Sequence, residues 1–318
     1  MNAPHLTRPV RVPVLMLKVW LALLPGIAAQ TWLMGIGVPT QILIATVSAL
    51  GFEAAMLALR GQPIKVNLLD GSAVLSAALL ALALPPALPW WLTVIGSFFA
   101  MVVAKQLFGG LGNNLFNPAM VGFATLLVCF PAQMAQWPAQ APEVQATWQA
   151  IFGLSPFDAI ASATPLDHFR TLSRQGLPFD ATTDPRFAWV ALAYLLGGLY
   201  LLAIRLVPWQ LPLAFLGGLA ASAALGQLVG QTASPLFHLA AGSTMLGAFF
   251  IVTDPVTAPS TPRGRLIFAA LAGVLTWVIR SFGNYPDGVA FAVLIMNITV
   301  PLLDQLTRPA AFGHKGRP

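Results

Sequence analysis

A small-residue motif carries a hydroxyl group that is open to modification. Residues 158–166 read DAIASATPL, and three small side chains precede Thr164. Small neighbours let another group approach the hydroxyl closely, and a threonine hydroxyl can serve as the attachment point of a phosphoryl-linked group. On the residues alone, an unmodified turn with small side chains is the favoured interpretation. The candidate set is Asp158, Ser162, Ala163, Thr164 and Pro165.

A second candidate is a block rich in glycine and asparagine. Residues 108–119 read FGGLGNNLFNPA. Glycine-rich backbone inside a membrane is tolerated only where it is buried in protein or lines a cavity. One interpretation is a broken-helix ligand site in which Asn113, Asn114 and Asn117 supply hydrogen bonds. The other is a tight cytoplasmic turn followed by a helix.

Four acids fall within or at the ends of long apolar stretches, and such acids are functional candidates by default. They are Glu53, Asp70, Asp254 and Asp287. For Asp70 and Asp287 the alternative is a helix cap, because each precedes an apolar run. Glu53 falls in the middle of a stretch, where it must be paired or protonated unless it lies outside the membrane. Lys105 and Arg280 are possible partners for these acids.

Residue patterns for several other chemistries are absent from the sequence. The four histidines show no HxxH or HxxxH spacing, and the one cysteine, Cys129, excludes a CxxC pair. We therefore predict no metal site. The sequence contains no P-loop or dinucleotide-binding fingerprint.

The elements that position these residues are membrane helices. Of 318 residues, 57% are hydrophobic and 8% are charged, against about 25% charged residues in soluble domains. Four long ranges carry no charge, namely 19–52, 71–104, 106–142 and 206–253. A membrane helix needs roughly 20 apolar residues, so each range holds one or two spans. The first span is expected to be a retained membrane helix and not a cleaved signal peptide.

Proline, glycine and charge positions divide the chain into ten candidate spans. They lie near 17–35, 38–59, 70–86, 90–108, 115–131, 187–204, 211–230, 236–253, 264–282 and 287–305. If both termini lie in the cytoplasm, 12 lysines and arginines lie on the cytoplasmic side of the membrane and 4 on the opposite side. This agrees with the enrichment of lysine and arginine in cytoplasmic loops. The net charge of +6 therefore reflects topology and does not indicate nucleic-acid binding.

We predict an all-α polytopic membrane protein with one long external loop. The expected units are a first membrane repeat at 1–131, a periplasmic loop at 132–186, a second membrane repeat at 187–305 and a cytoplasmic tail at 306–318. The repeat is indicated by two short matches, each separated by 171 residues: Gly71-Ser72 recurs at 242–243 and Gly112-Asn113 at 283–284. Corresponding helices of the two halves are five spans apart along the chain. Because five is an odd number, the second five-helix repeat crosses the membrane in the opposite direction to the first, an inverted arrangement common in transporters.

The motifs together resemble the RnfD/NqrB family of membrane proteins. The resemblance rests on Ala3-Pro4-His5, GGLGNNLFNPAMVGFA at 109–124, FFIVTDPVTAPSTPRGR at 249–265, YPDGVAFAVLIMN at 285–297 and Phe312-Gly313-His314. The family's threonine motif runs DAVSGATPL. This chain matches it at Asp158 and at 163–166, but has Ala161-Ser162 where the family usually has Ser-Gly.

The resemblance implies a function and its cofactors. Family members carry FMN joined through its phosphate to the threonine, here Thr164, by a separate flavin transferase. They relay electrons between ferredoxin and NAD, coupled to Na⁺ or H⁺ transport, within the Rnf complex of the bacterial inner membrane. The implied partners are the other components of the Rnf complex (A, B, C, E and G), with the lipid membrane around the chain. A riboflavin near 113–117 is a further possibility, and a urea-channel-like inverted repeat agrees with the family's fold.

Two alternatives share part of this pattern. A small-solute transporter or channel would use the same inverted repeat and broken spans, but it does not need a long external loop with a threonine motif. A scaffold that only holds other redox proteins would not need the threonine hydroxyl.

Overall fold

The chain is described from a computed structural model. The structure describes residues 11–138, 140–153, 161–175, 177, 179, 185–230, 233–285 and 287–309, with the side chains of Ala161 and Ser162 left out. The regular secondary structure of the described residues is helical apart from two short paired strands, which confirms the all-α prediction.

The first half contains six helices. They are α1 (Val12–Met34), α2 (Gly37–Leu59), α3 (Ile64–Leu68), α4 (Ser72–Ala83), α5 (Trp90–Phe98) and α6 (Pro118–Cys129). Helix α5 continues without a break as a π-helical segment, Phe99–Gln106.

A middle region of short elements follows. It contains α7 (Pro131–Met134), β1 (Trp137–Pro138), α8 (Val144–Ile151), β2 (Ala161–Ser162) and α9 (Pro165–Arg174). The strands pair antiparallel, with Trp137 opposite Ser162.

The described residues of the second half again form six helices. They are α10 (Pro185–Ala203), α11 (Gln210–Leu228), α12 (Pro235–Ala240), α13 (Thr244–Leu246), α14 (Pro262–Phe282) and α15 (Val289–Leu306). Helix α13 continues as a π-helical segment, Gly247–Ile251.

The element order repeats with the offset seen in the sequence. Shifting α1–α6 by 171 residues places them on α10–α15 in order, including the short α3 on α12. Contacts recur as well, since α2 packs on α5 as α11 packs on α14. The two matching residue pairs in the sequence therefore belong to a repeat of whole helices.

Among the residues that the structure describes, six helices are long and apolar enough to cross a membrane: α1, α2, α10, α11, α14 and α15. They begin and end within a few residues of the predicted spans, so the protein is a multi-pass membrane protein. Three predicted spans are shorter apolar helices, Ser72–Ala83, Trp90–Gln106 and Pro118–Cys129. Twelve helical residues extend about 18 Å, which is less than the ~30 Å hydrocarbon core.

The span predicted at 236–253 is not one helix. It is divided into α12, α13 and the π-helical Gly247–Ile251. Gly242 interrupts it with a φ of 62°, a left-handed conformation that side chains other than glycine rarely adopt. Its apolar composition predicted a span, but the backbone conformation at Gly242 decides where the helix breaks.

Four helices begin with a polar cap followed by proline. The caps are Asn117, Thr164, Ser234 and Thr261, at the starts of α6, α9, α12 and α14, and each side chain accepts a hydrogen bond from the backbone N–H three residues later. Proline suits the first helical position because its missing N–H has no intrahelical acceptor there. Local sequence therefore sets where these helices start.

Glycines bring helix backbones together in the core. A Cβ atom at Gly197 of α10 would lie 1.9 Å from the Ala22 carbonyl oxygen of α1. A Cβ atom at Gly218 of α11 would lie 2.3 Å from the Ala270 carbonyl oxygen of α14. Small residues permit close helix packing in membranes, where lipid provides little hydrophobic drive for association.

Candidate functional site

Thr164 lies at the N-terminus of α9 with its hydroxyl held by two hydrogen bonds. Its Oγ1 accepts from the Asp167 backbone N–H at 3.1 Å and donates to Asp167 Oδ2 at 2.8 Å. The other carboxylate oxygen of Asp167 lies 3.2 Å from Arg170 Nη2. The threonine is half-buried and Asp167 is buried.

An aromatic cluster anchors α9 against α12. Phe169 packs edge-on against Phe179 and His238 and in a tilted arrangement against Phe237. At the start of α9, Leu166 lies so close to Gly242 that a Cβ atom there would be 2.6 Å from its methyl carbon. Thr164 is therefore positioned by contacts with the second membrane repeat.

Two arginines tie the other face of α9 to the turn after α14. Arg170 donates to the Asn284 carbonyl oxygen at 2.5 Å, and Arg174 donates to the Asn284 side-chain oxygen at 2.6 Å.

The structure describes some of the other residues of the threonine motif. Ser162 is in β2 opposite Trp137, Ala163 is exposed, and Pro165 is the first residue of α9. Asp158 lies outside the described residues.

A cavity beside Thr164 is walled mainly by apolar and aromatic side chains. This outer cavity has a volume of about 90 Å³. Its large apolar residues are Met34, Phe123, Leu127, Trp137, Phe187 and Tyr194. Polar groups enter at its base, where the Tyr194 hydroxyl donates to Gln30 Oε1 at 2.6 Å and Gln30 donates to the Leu82 carbonyl oxygen at 3.1 Å.

Asp287 is also on the wall of the outer cavity. Its Oδ2 accepts from the Ser243 N–H at 2.8 Å and from the Ser243 hydroxyl at 2.5 Å, and its Oδ1 accepts from Arg280 Nη2 at 2.8 Å. These partners hold the Asp287 carboxylate in place.

Glu53 is paired. Its Oε1 accepts from Lys105 Nζ at 2.5 Å and from Gln106 Nε2 at 2.8 Å, and both Glu53 and Lys105 are 2% exposed. Lys105 also donates to the Ser72 hydroxyl at 2.7 Å, and that hydroxyl donates to Asp70 Oδ1 at 2.5 Å. The paired interpretation of Glu53 is therefore confirmed, and the network includes Asp70.

Asp254 accepts hydrogen bonds from neutral groups. The donors are the Val256 N–H at 3.1 Å, the Thr257 hydroxyl at 3.2 Å and Asn117 Nδ2 at 3.3 Å. Asn297 joins the same region, since its Oδ1 accepts from the Asn117 N–H and its Nδ2 donates to the Thr257 carbonyl oxygen.

A larger inner cavity, of about 410 Å³, lies between the two halves. Its polar lining includes Ser72, Lys105, Asn114, Asn117, Thr253 and Asp254. Asn114 and Asn117 both line this cavity, and Asn117 also caps the start of α6. Asn113 is exposed and does not line this cavity.

The two cavities are related by the repeat. Residues of the inner cavity correspond, at the offset of 171, to residues of the outer cavity: Met16 to Phe187, Val19 to Val190, Ser72 to Ser243 and Leu75 to Leu246. Residues from both halves of the chain line each cavity, and equivalent positions of the two halves face different cavities.

Sequence reasoning missed several site residues. Gln30, Tyr194 and Asp167 were not singled out, because only tertiary contacts bring them to the cavity or the hydroxyl. Ser243 had a signal in the sequence, since it is the repeat partner of Ser72.

Known proteins match the chain along nearly its whole length. A sequence model of the NQR2, RnfD, RnfE family matches residues 1–313. The D subunit of the ion-translocating oxidoreductase complex of Escherichia fergusonii is 50% identical, covering 95% of this chain and 94% of the relative. The protein of the same name from Aeromonas hydrophila subsp. hydrophila is 49% identical, covering 99% and 98%. The chain therefore belongs to the NQR2, RnfD, RnfE family.

Proposed function

We propose that the protein is the D-type membrane component of an Rnf ion-translocating oxidoreductase complex and relays electrons through FMN joined to Thr164. The electrons would pass between ferredoxin and NAD, coupled to Na⁺ or H⁺ movement. The observation that carries the proposal is the position of the Thr164 hydroxyl at the wall of an aromatic cavity, in a chain whose relatives are named as components of this kind of complex.

The residues around Thr164 suit a flavin. Apolar and aromatic walls accommodate a planar ring system, and a few polar groups orient it. The outer cavity supplies both, with Gln30, Tyr194 and Asp287 as its polar groups. Its enclosed volume of about 90 Å³ is below the ~300–1,000 Å³ of typical ligand pockets, so only part of the ring system would be enclosed.

The chain would hold the phosphate through the N-terminus of α9. The helix dipole favours an anion there. Arg170 lies on the first turns of the same helix, within 3.2 Å of Asp167, where it offsets negative charge. Bound FMN would supply the electron transfer, while the protein sets its position and surroundings.

The inner cavity is proposed as the site of a second flavin, a riboflavin. Its volume of about 410 Å³ lies within the usual range for ligands. Asn114 and Asn117 offer amide donors and acceptors, and Lys105 offers a positive charge beside the Ser72 hydroxyl.

The four acids are proposed as ion-pathway residues. Asp254 is the strongest of them, because its hydrogen-bond donors among the described residues are neutral and none of them is a cation. Glu53 and Asp287 are paired with Lys105 and Arg280, so their participation would require those pairs to separate. Asp70 would act through Ser72.

The proposed location is the bacterial inner membrane, with both termini in the cytoplasm and Thr164 outside. This placement follows the distribution of lysine and arginine. The proposed partners are the other components of the Rnf complex (A, B, C, E and G) and the flavin transferase that modifies Thr164.

The transporter alternative rests on the two repeat-related cavities, which a small-solute pathway would also use. Purified flavin-free protein that carries solute into liposomes would favour it. The scaffold alternative predicts that a Thr164 variant still assembles and supports electron transfer.

An intact-mass measurement on peptide 156–170 tests the central proposal. Full-length protein produced with its flavin transferase should gain the mass of FMN less one water on Thr164, and Thr164→Ala should remove both the gain and the fluorescent gel band. Thr171→Ala is the matched control, because Thr171 is on the same helix and its hydroxyl donates to the Asp167 carbonyl oxygen. A flavin band that persists in Thr164→Ala would refute the assignment.

A further inference from the structure

Thr164 is held in a geometry suited to removal of its hydroxyl proton. We propose that Asp167 accepts this proton during attachment of the flavin, so that the acceptor protein itself helps to activate its own threonine. This inference rests on the proposed function, since it concerns the step that joins the flavin to Thr164.

The two hydrogen bonds define the direction of the hydroxyl. A threonine hydroxyl has one proton and two lone pairs. The proton is directed to Asp167 Oδ2 at 2.8 Å, and one lone pair accepts the Asp167 N–H at 3.1 Å. The second lone pair is left to attack phosphorus.

The carboxylate is itself held in place. Asp167 is 7% exposed, and its Oδ1 lies 3.2 Å from Arg170 Nη2. Arg170 in turn donates to the Asn284 carbonyl oxygen. One oxygen of Asp167 therefore faces the arginine while the other faces the hydroxyl.

Helix capping alone does not require this carboxylate. Among the described residues, four helices begin with a polar cap and proline, and each cap needs only a backbone N–H three residues on. The residues at that third position are Met120, Asp167, Phe237 and Gly264. An acid occurs there only in α9, the helix that carries Thr164.

The step balances without an oxidant or reductant. The donor is a flavin dinucleotide, whose flavin phosphate carries a nucleoside monophosphate leaving group. The Thr164 Oγ1–phosphorus bond forms, the pyrophosphate P–O bond breaks, and the proton passes to Asp167 and then to water. Kinases use an aspartate in the same way to accept the proton of a substrate hydroxyl.

The test compares Asp167→Asn with the unaltered protein. Asparagine keeps an oxygen that can accept the Thr164 hydrogen bond but is a far weaker proton acceptor. Full-length flavin-free protein, made without the transferase, is incubated with purified flavin transferase and flavin adenine dinucleotide. The initial rate of flavin incorporation is measured by intact mass over a range of transferase concentrations.

We expect the rate at saturating transferase to fall about 100-fold in Asp167→Asn, since a positioned general base contributes roughly 10²–10⁴-fold. The half-saturating transferase concentration and the melting temperature should not change. Asp167→Glu, which restores a carboxylate, should recover most of the rate. Asp304→Asn is the control, because Asp304 accepts a backbone N–H from Ser260 at 2.8 Å but belongs to α15.

Three outcomes would overturn the inference. The first is incorporation in Asp167→Asn at the unaltered rate, and the second is a loss expressed only in the half-saturating concentration. If Asp167→Asn lowers the melting temperature, the rate measured for Asp167→Glu decides whether the carboxylate matters. The third outcome is a rate of flavin incorporation in Asp167→Glu that is as slow as in Asp167→Asn. No mass gain on Thr164 in the unaltered protein would refute the proposed function as well, which distinguishes the two failures.

Discussion

Ser72 and Ser243 occupy equivalent positions of the two repeats, and each presents its backbone N–H and its hydroxyl to one carboxylate. Ser72 binds Asp70 at 2.7 and 2.5 Å, and Ser243 binds Asp287 at 2.8 and 2.5 Å. The carboxylates come from different places, since Asp70 precedes Ser72 by two residues whereas Asp287 follows α14. The repeats thus share the serine geometry but reach it with different acids.

Replacing Ser243 tests the value of this contact. Ser243→Ala removes a hydroxyl that donates to a charged carboxylate, and such bonds contribute about 1.5–3 kcal/mol. We expect the free energy of unfolding in detergent to fall by that amount. Ser222→Ala is the control, because the Ser222 hydroxyl donates only to the Gly218 carbonyl oxygen of its own helix. Equal stability of the two variants would contradict the prediction.

Removing one partner of the Lys105–Glu53 ion pair should lower the free energy of unfolding more than removing both partners together. Lys105→Met leaves Glu53 charged and buried, which costs about 3–5 kcal/mol. The double variant Lys105→Met/Glu53→Met removes both charges and should recover most of the loss. A double-mutant cycle of unfolding free energies measures this coupling, and simple additivity of the two single changes would show that the ion pair is not formed.

Neighbouring glycines on α11 should respond in opposite ways to alanine. Gly218→Ala forces a methyl group against the Ala270 carbonyl oxygen, and overpacking of this kind costs about 1–3 kcal/mol. Gly217→Ala meets no atom within 4 Å and should be neutral or stabilising by roughly 0.5–1 kcal/mol, because alanine favours the helix. Thermal unfolding of both variants decides the question. A similar loss in both would mean that α11 and α14 do not pack as described.

Asp254→Asn should separate flavin attachment from ion transport. The side chain lines the inner cavity and not the outer cavity at Thr164, so the content of FMN attached to Thr164 should be unchanged. Loss of the ionisable carboxyl should lower ion uptake per electron transferred, measured in vesicles that contain the assembled complex. Asp304→Asn serves as the control. Unchanged uptake in Asp254→Asn would remove Asp254 from the ion pathway.

Several features were predictable because they depend on local sequence. The long apolar helices were found within a few residues, since their composition and length alone make them membrane spans. The cap-proline pairs mark helix starts, as at Asn117-Pro118 and Thr261-Pro262. The offset of 171 residues between matching residue pairs indicates a repeat from the sequence alone.

Other features depended on contacts between distant residues. The predicted span at 236–253 breaks at Gly242, where Leu166 of α9 packs closely. Glu53 meets Lys105 only because α2 packs against the π-helical continuation of α5. Tyr194 and Gln30, which are 164 residues apart, meet at the base of the outer cavity.

The sequence by itself determined that this is a multi-pass helical membrane protein of a recognisable family, because apolar length, charge placement and motif order are properties of the chain read residue by residue. Only the tertiary structure decided how the chemistry is assembled. It placed Asp167 against the Thr164 hydroxyl, paired Glu53 with Lys105 and Asp287 with Arg280, and lined two cavities with residues from both halves of the chain. The physical reason is that a side chain buried in a helix bundle takes its partners from whichever helices pack around it.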